Sequence, residues 1–176
     1  MGELTSAAVP AAGPDDHIRG EGPDLIVYAD LGCPHCAAIW ERIAALPARV
    51  VFRHFPVASK HPRAPDLHAA AEAAGWQGAF FEFVDSLFAD RGRVDDPHLW
   101  ERAERFGLDL ERFEADRRST VARDRVQRDF ESGIRAGVTE TPTLFRDGEK
   151  LAPGQIESLT SDEASVSLPA TENESS

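Results

Sequence analysis

The chain has two cysteines in 176 residues, and both lie in Cys33-Pro34-His35-Cys36. Two thiols at this spacing can be joined and parted as a disulfide, which is the chemistry of thiol–disulfide exchange. The thiolate is the nucleophile there, and a helix N-terminus lowers a cysteine pKa from about 8.5 to roughly 3.5–7.5. Pro34 suits a first helical turn, where its missing N–H has no intrahelical partner. Cys36, Ile39/Trp40, Ile43 and Leu46 recur at the three-to-four spacing of one helix face. The spacing predicts a helix over 34–46 with the Cys33 thiol exposed at its tip and Cys36 held back on the inward stripe. His35, between them, can give the Cys33 sulfur a hydrogen bond or positive charge. A stabilised thiolate stabilises the reduced form and makes the couple oxidising, by roughly 30 mV per 1.4 kcal/mol. A zinc site would need two more ligands; no further cysteine exists and the six histidines show no paired ligand spacing, so no metal is expected.

The elements that must hold this motif are legible on both sides of it. Residues 24–29 (Asp-Leu-Ile-Val-Tyr-Ala) form a short β-branched and aromatic run that reads as a buried strand. Pro47 stops the helix, and 49–55 reads as a second strand, so strand, helix and strand make a βαβ unit with parallel strands. From about 57 to 117 the pattern is helical: a helix begins at Pro65-Asp66 and stops at Gly75, and Phe80, Phe83/Val84 and Leu87/Phe88 make an apolar face. Asp96-Pro97 reads as a cap with a first-turn proline, and Asp109 caps a short helix. Ser119/Thr120 opens a longer helix that ends near Gly137. Residues 138–145 read as a loop running into a short apolar strand, and Asp147-Gly148 signals a hairpin whose return strand is 149–151. Residues 155–159 offer about a turn of helix. His54 and His61 read as a strand end and a loop residue.

One domain of ordinary apolar content follows, 41% of residues, with a net charge of −12 that argues against nucleic acid or an anionic membrane surface as partner. Residues 1–22, rich in Ala, Gly and Pro, read as a loosely ordered leader, 23–159 as the domain, and 160–176 as a disordered acidic Ser/Glu-rich tail. No Lys or Arg precedes Arg19 and no run approaches a membrane span, which sets the expectation of a cytoplasmic chain without membrane insertion.

The order strand, CPHC, helix, strand, helical block, then Thr141-Pro142 before a hairpin resembles the DsbA-like thioredoxin superfamily. It is most similar to a short bacterial branch that includes thioredoxin-like domains fused to sodium/proton antiporters. Residues 15–20 (Asp-Asp-His-Ile-Arg-Gly), Phe52-Arg53-His54-Phe55-Pro56, His61-Pro62, Gln77-Gly78-Ala79-Phe80 and 137–143 carry the resemblance. It implies an α/β thioredoxin fold with an inserted helical subdomain and a thiol–disulfide oxidoreductase acting on protein or small-molecule thiols. Cys33 would attack and Cys36 resolve, Pro142 would be a cis-proline facing them, and Thr141 would offer backbone groups to an extended substrate. No cofactor beyond the Cys33–Cys36 disulfide is implied, and a membrane transporter is a candidate partner.

Three residues or segments depart from the branch. Val27 stands where it carries a buried glutamate, which leaves proton transfer at Cys36 to water, Asp30 or His35. Glu140 replaces a glycine, and a carboxylate near the thiolate would raise its pKa. The last helix is cut short, which would leave one sheet face poorly covered. Two other classes stay open: a kappa-like thiol-conjugating transferase or isomerase, against which the intact Cys33 counts, and a non-catalytic thioredoxin-like docking or regulatory module.

Overall fold

The structure, a computed structural model, describes residues 5–161. Its elements in chain order are β1 (His17–Arg19), β2 (Asp24–Ala29), α1 (Pro34–Ala44), β3 (Arg49–His54), α2 (Ala64–Gly75), α3 (Phe80–Ala89), α4 (Asp96–Arg105), α5 (Leu110–Arg117), α6 (Thr120–Arg135), β4 (Thr143–Arg146), β5 (Glu149–Lys150) and α7 (Pro153–Ser161). Five strands form one sheet in the order β1-β3-β2-β4-β5. β2 and β3 are parallel, with Val27 opposite Phe52, as a helical crossover between them requires. β4 runs antiparallel to β2, Leu144 opposite Val27, and brings the 139–142 loop to the end of β2 where α1 begins.

The two faces of the sheet follow the strand period of two. Leu25, Val27 and Ala29 join Val50, Phe52 and Leu144 in a core with Trp40 and Ile43 of α1, Phe83 and Leu87 of α3, and the alanine-rich α2. Ile26, Tyr28, Val51 and Phe145 face the other way, toward Phe130 of α6. Gly133 lets α6 approach closely: a Cβ there would meet the Phe55 ring at 2.8 Å. The expected gap in coverage is not found: Ile156 of α7 is buried in the first core with Leu151 and Leu159 packed against it. The hairpin is formed as read, with Asp147 and Gly148 at φ 53° and 79°, the left-handed pair a two-residue turn needs. The cap of α4 is Asp95, one residue before the expected Asp96, and its carboxylate accepts from the His98 N–H.

The leader requires a correction. Within 5–22 the chain contributes β1, an edge strand paired antiparallel with β3, and lies against the domain. A buried guanidinium gathers it in: Arg53 donates to both carboxylate oxygens of Asp16 at 3.0 and 2.9 Å, to the Pro10 and Ala11 carbonyls and to the Tyr28 hydroxyl. The sequence pattern concealed this because the partners of Arg53 in this segment lie 37 to 43 positions away in the chain. Arg19 adds a bidentate pair with Asp85 of α3, whose carboxylate also accepts from the Trp40 indole at 2.7 Å. Thr160 and Ser161 of the expected tail belong to α7; the rest of that tail, 162–176, lies outside the described residues.

Removing Arg53 would take from the largely buried Asp16 carboxylate its hydrogen-bonded guanidinium and leave it the more distant charge of Arg125. Arg53→Met is therefore expected to destabilise the domain by about 3–5 kcal/mol in urea unfolding. A loss below about 1 kcal/mol would mean that the 5–22 segment is not part of the cooperative fold.

Candidate active site

α1 starts at the carboxyl end of β2, the position in a parallel pair where a loop can present side chains to solvent. Cys33 is its N-cap, in extended conformation, and Pro34 follows in the first turn. The Cys33 thiol is not exposed as the sequence predicts: the residue is only 7% accessible. The 139–142 loop lies over it, with the Thr141 carbonyl 3.6 Å from Sγ and the Thr141–Pro142 peptide bond cis. Neither cysteine is in a disulfide.

The two sulfurs sit in opposed environments. The Cys36 thiol beside Cys33 is the main cause that holds the Cys33 pKa down to about 5, against burial, with help from Thr141 and the Cys36 and His35 N–H groups. Burial pushes the Cys36 thiol well up, and the adjacent Cys33 sulfur adds to it. The Asp30 N–H reaches Cys36 Sγ at 3.5 Å. The expected help from His35 takes another form. Its ring is exposed and, among the described residues, hydrogen-bonds neither sulfur, so only its backbone acts on Cys33. Pro34 is exposed beside it. His35, Ile39, Thr141, Pro142, Leu151 and Ile156 line a cleft of about 620 Å³ next to the motif. Glu140 also lines that cleft, yet Cys33 keeps its low pKa.

Val27 is fully buried in the apolar core, so no carboxylate stands at that position. The nearest acid by sequence is Asp30, also fully buried. Its Oδ1 accepts from the Gly32 N–H at 2.8 Å, and its Oδ2 from the Val57 N–H at 2.9 Å and from His61 Nδ1 at 2.8 Å. Burial would raise its pKa, but the donors filling both oxygens outweigh it and hold the carboxyl down to about 2.

Behind Asp30 the structure assembles a set of groups that the sequence reading did not join. The Leu31 N–H donates to His68 Nε2 at 2.9 Å, so neutral His68 carries its proton on Nδ1. That proton points to His54 Nδ1 at 2.6 Å, which leaves the His54 proton on Nε2, directed at Glu72 Oε1 at 2.6 Å. His17 Nε2 meets the same oxygen at 2.5 Å. Burial favours neutral His68 and brings its pKa down to about 4, while His17 and His54 outweigh burial and hold Glu72 well below the usual carboxylate range. Among the described residues, His17, His54 and Glu72 are the one group of three such donors close enough to share a metal ion. The proton order works against that use, since a lone pair on His54 Nε2 would require Nδ1 to carry a proton facing the one on His68. The signal was present in the sequence: His68 and Glu72 are four apart on α2, and His54 shares a strand face with Val50 and Phe52.

Comparison with known proteins bears on this arrangement. The family model described as Thioredoxin matches residues 19–162. The Na(+)/H(+) antiporter NhaA 1 of Salinispora arenicola is 39% identical over 153 residues, 81% of this chain and 23% of that protein. NhaA of Herminiimonas arsenicoxydans is 36% identical over 85% of this chain and 25% of its own length. The chain thus spans about a quarter of the curated relatives it matches. Among solved structures, the thiol-disulfide exchange protein alpha-DsbA2 of Wolbachia pipientis superposes with a TM-score of 0.74 at 17% identity, over 88% of each chain. DsbA2 of Pseudomonas aeruginosa gives 0.65 at 24% identity, over 90% of this chain and all of that one. At such identities these two likenesses show the fold.

Alkylation by iodoacetamide is expected to modify Cys33 alone, at a rate that levels off above about pH 6 and falls below about pH 5; a midpoint near 8.5 would contradict the described environment. Stability should fall on acidification. His68 has its folded pKa depressed from 6.5 to about 4, so the unfolded chain binds a proton that the folded one does not across that window. The depressed carboxyls of Glu72 and Asp30 extend the loss below it. A urea midpoint unchanged from pH 7 to pH 4.5 would contradict this.

Proposed function

Since the chain belongs to the thioredoxin family and has the DsbA-like form of its fold, we propose that it is a thiol–disulfide oxidoreductase working through Cys33 and Cys36. The observation that carries this reading is the asymmetry of the pair, with the Cys33 pKa at about 5 and Cys36 buried with its pKa raised. In the oxidising direction a substrate thiolate attacks Cys33 Sγ, the Cys33–Cys36 bond breaks, and Cys36 leaves as a thiolate that takes up a proton. A second substrate thiolate then attacks the substrate sulfur of the mixed disulfide, and Cys33 leaves as a thiolate. Two thiols become a disulfide and the protein disulfide becomes a dithiol; reduction is the reverse. Thr141, whose carbonyl lies beside Cys33, and Pro142 would receive an extended peptide, and the His35 cleft its neighbouring side chain.

The antiporter matches support a second reading, a thioredoxin-like module that docks on a membrane transporter. No described helix is long and apolar enough to cross a membrane. A cytoplasmic setting belongs to the proposal, and the thiol pool there would keep this pair largely reduced.

The reduction potential, measured by equilibration against a thiol buffer, tests the first reading. A value of roughly −120 to −180 mV is expected for a thiolate-stabilised couple, and one near −270 mV would make the protein a reductase instead. No reversible disulfide, with Cys33→Ser keeping biological function, would leave the docking module.

A further inference from the structure

An exposed thiol substrate near neutral pH is mostly protonated, yet only its thiolate can attack Cys33. His61 lies on the loop packed against the turn that leads into Cys33. It packs against Gly32, one residue before Cys33: a Cβ on Gly32 would fall 2.8 Å from the His61 Cβ. The Asp30 carboxylate accepts from His61 Nδ1 at 2.8 Å while the histidine side chain keeps 23% of its surface open. With the proton fixed on Nδ1, the Nε2 lone pair is free and faces away from Asp30. The loop is held as firmly as the ring. The Val57 N–H donates to the same Asp30 oxygen, and the His61 N–H donates to the Val57 carbonyl at 2.9 Å. An imidazole oriented by a buried carboxylate is the arrangement of a general base, and Asp30 would stabilise the imidazolium it becomes.

We propose that His61, oriented by Asp30, is the general base for the incoming substrate thiol, and that the preferred substrates are ordinary, weakly acidic thiols such as peptide cysteines. The assignment rests on the oxidoreductase reading. In the step, the S–H proton passes to His61 Nε2, and the thiolate formed attacks Cys33 Sγ as the Cys33–Cys36 bond breaks. The proton then leaves His61 for solvent while Cys36 takes one up. Asp30 is a positioning residue and touches no substrate. The charged and titratable groups around His61 are Asp30, His68 beyond it with Nε2 3.7 Å from Asp30 Oδ1, the neighbouring Lys60, Arg63 paired with Asp66 and Asp96, and, one residue past the Gly32 it packs on, Cys33.

The size of the effect has a ceiling. A thiol of pKa about 8.5 is roughly 3% ionised at pH 7, so base assistance can gain at most about 30-fold over attack by preformed thiolate. The test reduces the oxidised protein with two thiols, one of pKa near 8.5 and one below 6, in wild type and His61→Asn, whose amide keeps a donor for Asp30. The variant should lose about tenfold with the weakly acidic thiol at pH 7, nothing with the strongly acidic one, and recover at pH 9.5. Equal loss with both thiols, or no loss with either, overturns the assignment. Wild type alone gives a second reading: below pH 8 its rate with the weakly acidic thiol should fall less than tenfold per pH unit, and a strict tenfold dependence overturns the proposal. Absence of reduction by either thiol overturns the oxidoreductase reading, and this one with it.

Discussion

The Asp30 carboxylate is completely buried, and a buried charge is tolerated only when its lone pairs are filled. Its partners lie in separate parts of the chain: the Gly32 N–H at the start of the CPHC turn, and the Val57 N–H and His61 ring in the loop after β3. Its own N–H is turned to Cys36. One side chain thus fixes the turn before the cysteines against the loop that flanks them. The cost of leaving it unpaired makes the geometry cooperative, because losing any donor exposes the others' shared acceptor to desolvation without compensation.

Around this anchor the two sulfurs are separated by environment rather than by distance in sequence. Cys33 lies at a helix start beneath the Thr141 carbonyl, and donors around it favour the anion; Cys36, three residues on, points into the apolar core. The β2–β4 pairing brings the 139–142 loop over Cys33, and the parallel β2–β3 pairing brings the Val57–His61 loop against Asp30 and Gly32 just before it. The sheet order therefore sets Cys33 beneath the Thr141 loop while α1 carries Cys36 into the core.

Much of this was legible in the sequence, for reasons that can be named. Short β-branched runs, the Pro34 helix start, the Ser119 and Asp109 caps and the Asp147-Gly148 turn are local signals, and each was realised where it was read. What escaped depends on contacts across long separations. β1 is three residues long and is defined by its pairing to β3, and Arg53 anchors Asp16 from 37 positions away. Cys33 looked open because a helix tip is open until a loop more than a hundred residues later closes over it. The His68–Glu72 spacing on α2 does not by itself point to His54, because the links run from strand to helix, from His54 to His68 and Glu72.

The line from Leu31 through His68 and His54 to Glu72 is directional. Every N–H along it points the same way, so the two imidazoles are linked in series like compass needles set by a single backbone amide. Reversing any one of them sets two protons or two lone pairs face to face, and reversing all of them leaves the Leu31 amide without an acceptor in a place water does not reach. The interior of this protein thus has a grammar as well as a packing. A residue substituted at position 54 or 68 must present an acceptor on one side and a donor on the other, in that order, and shape alone would not make it fit.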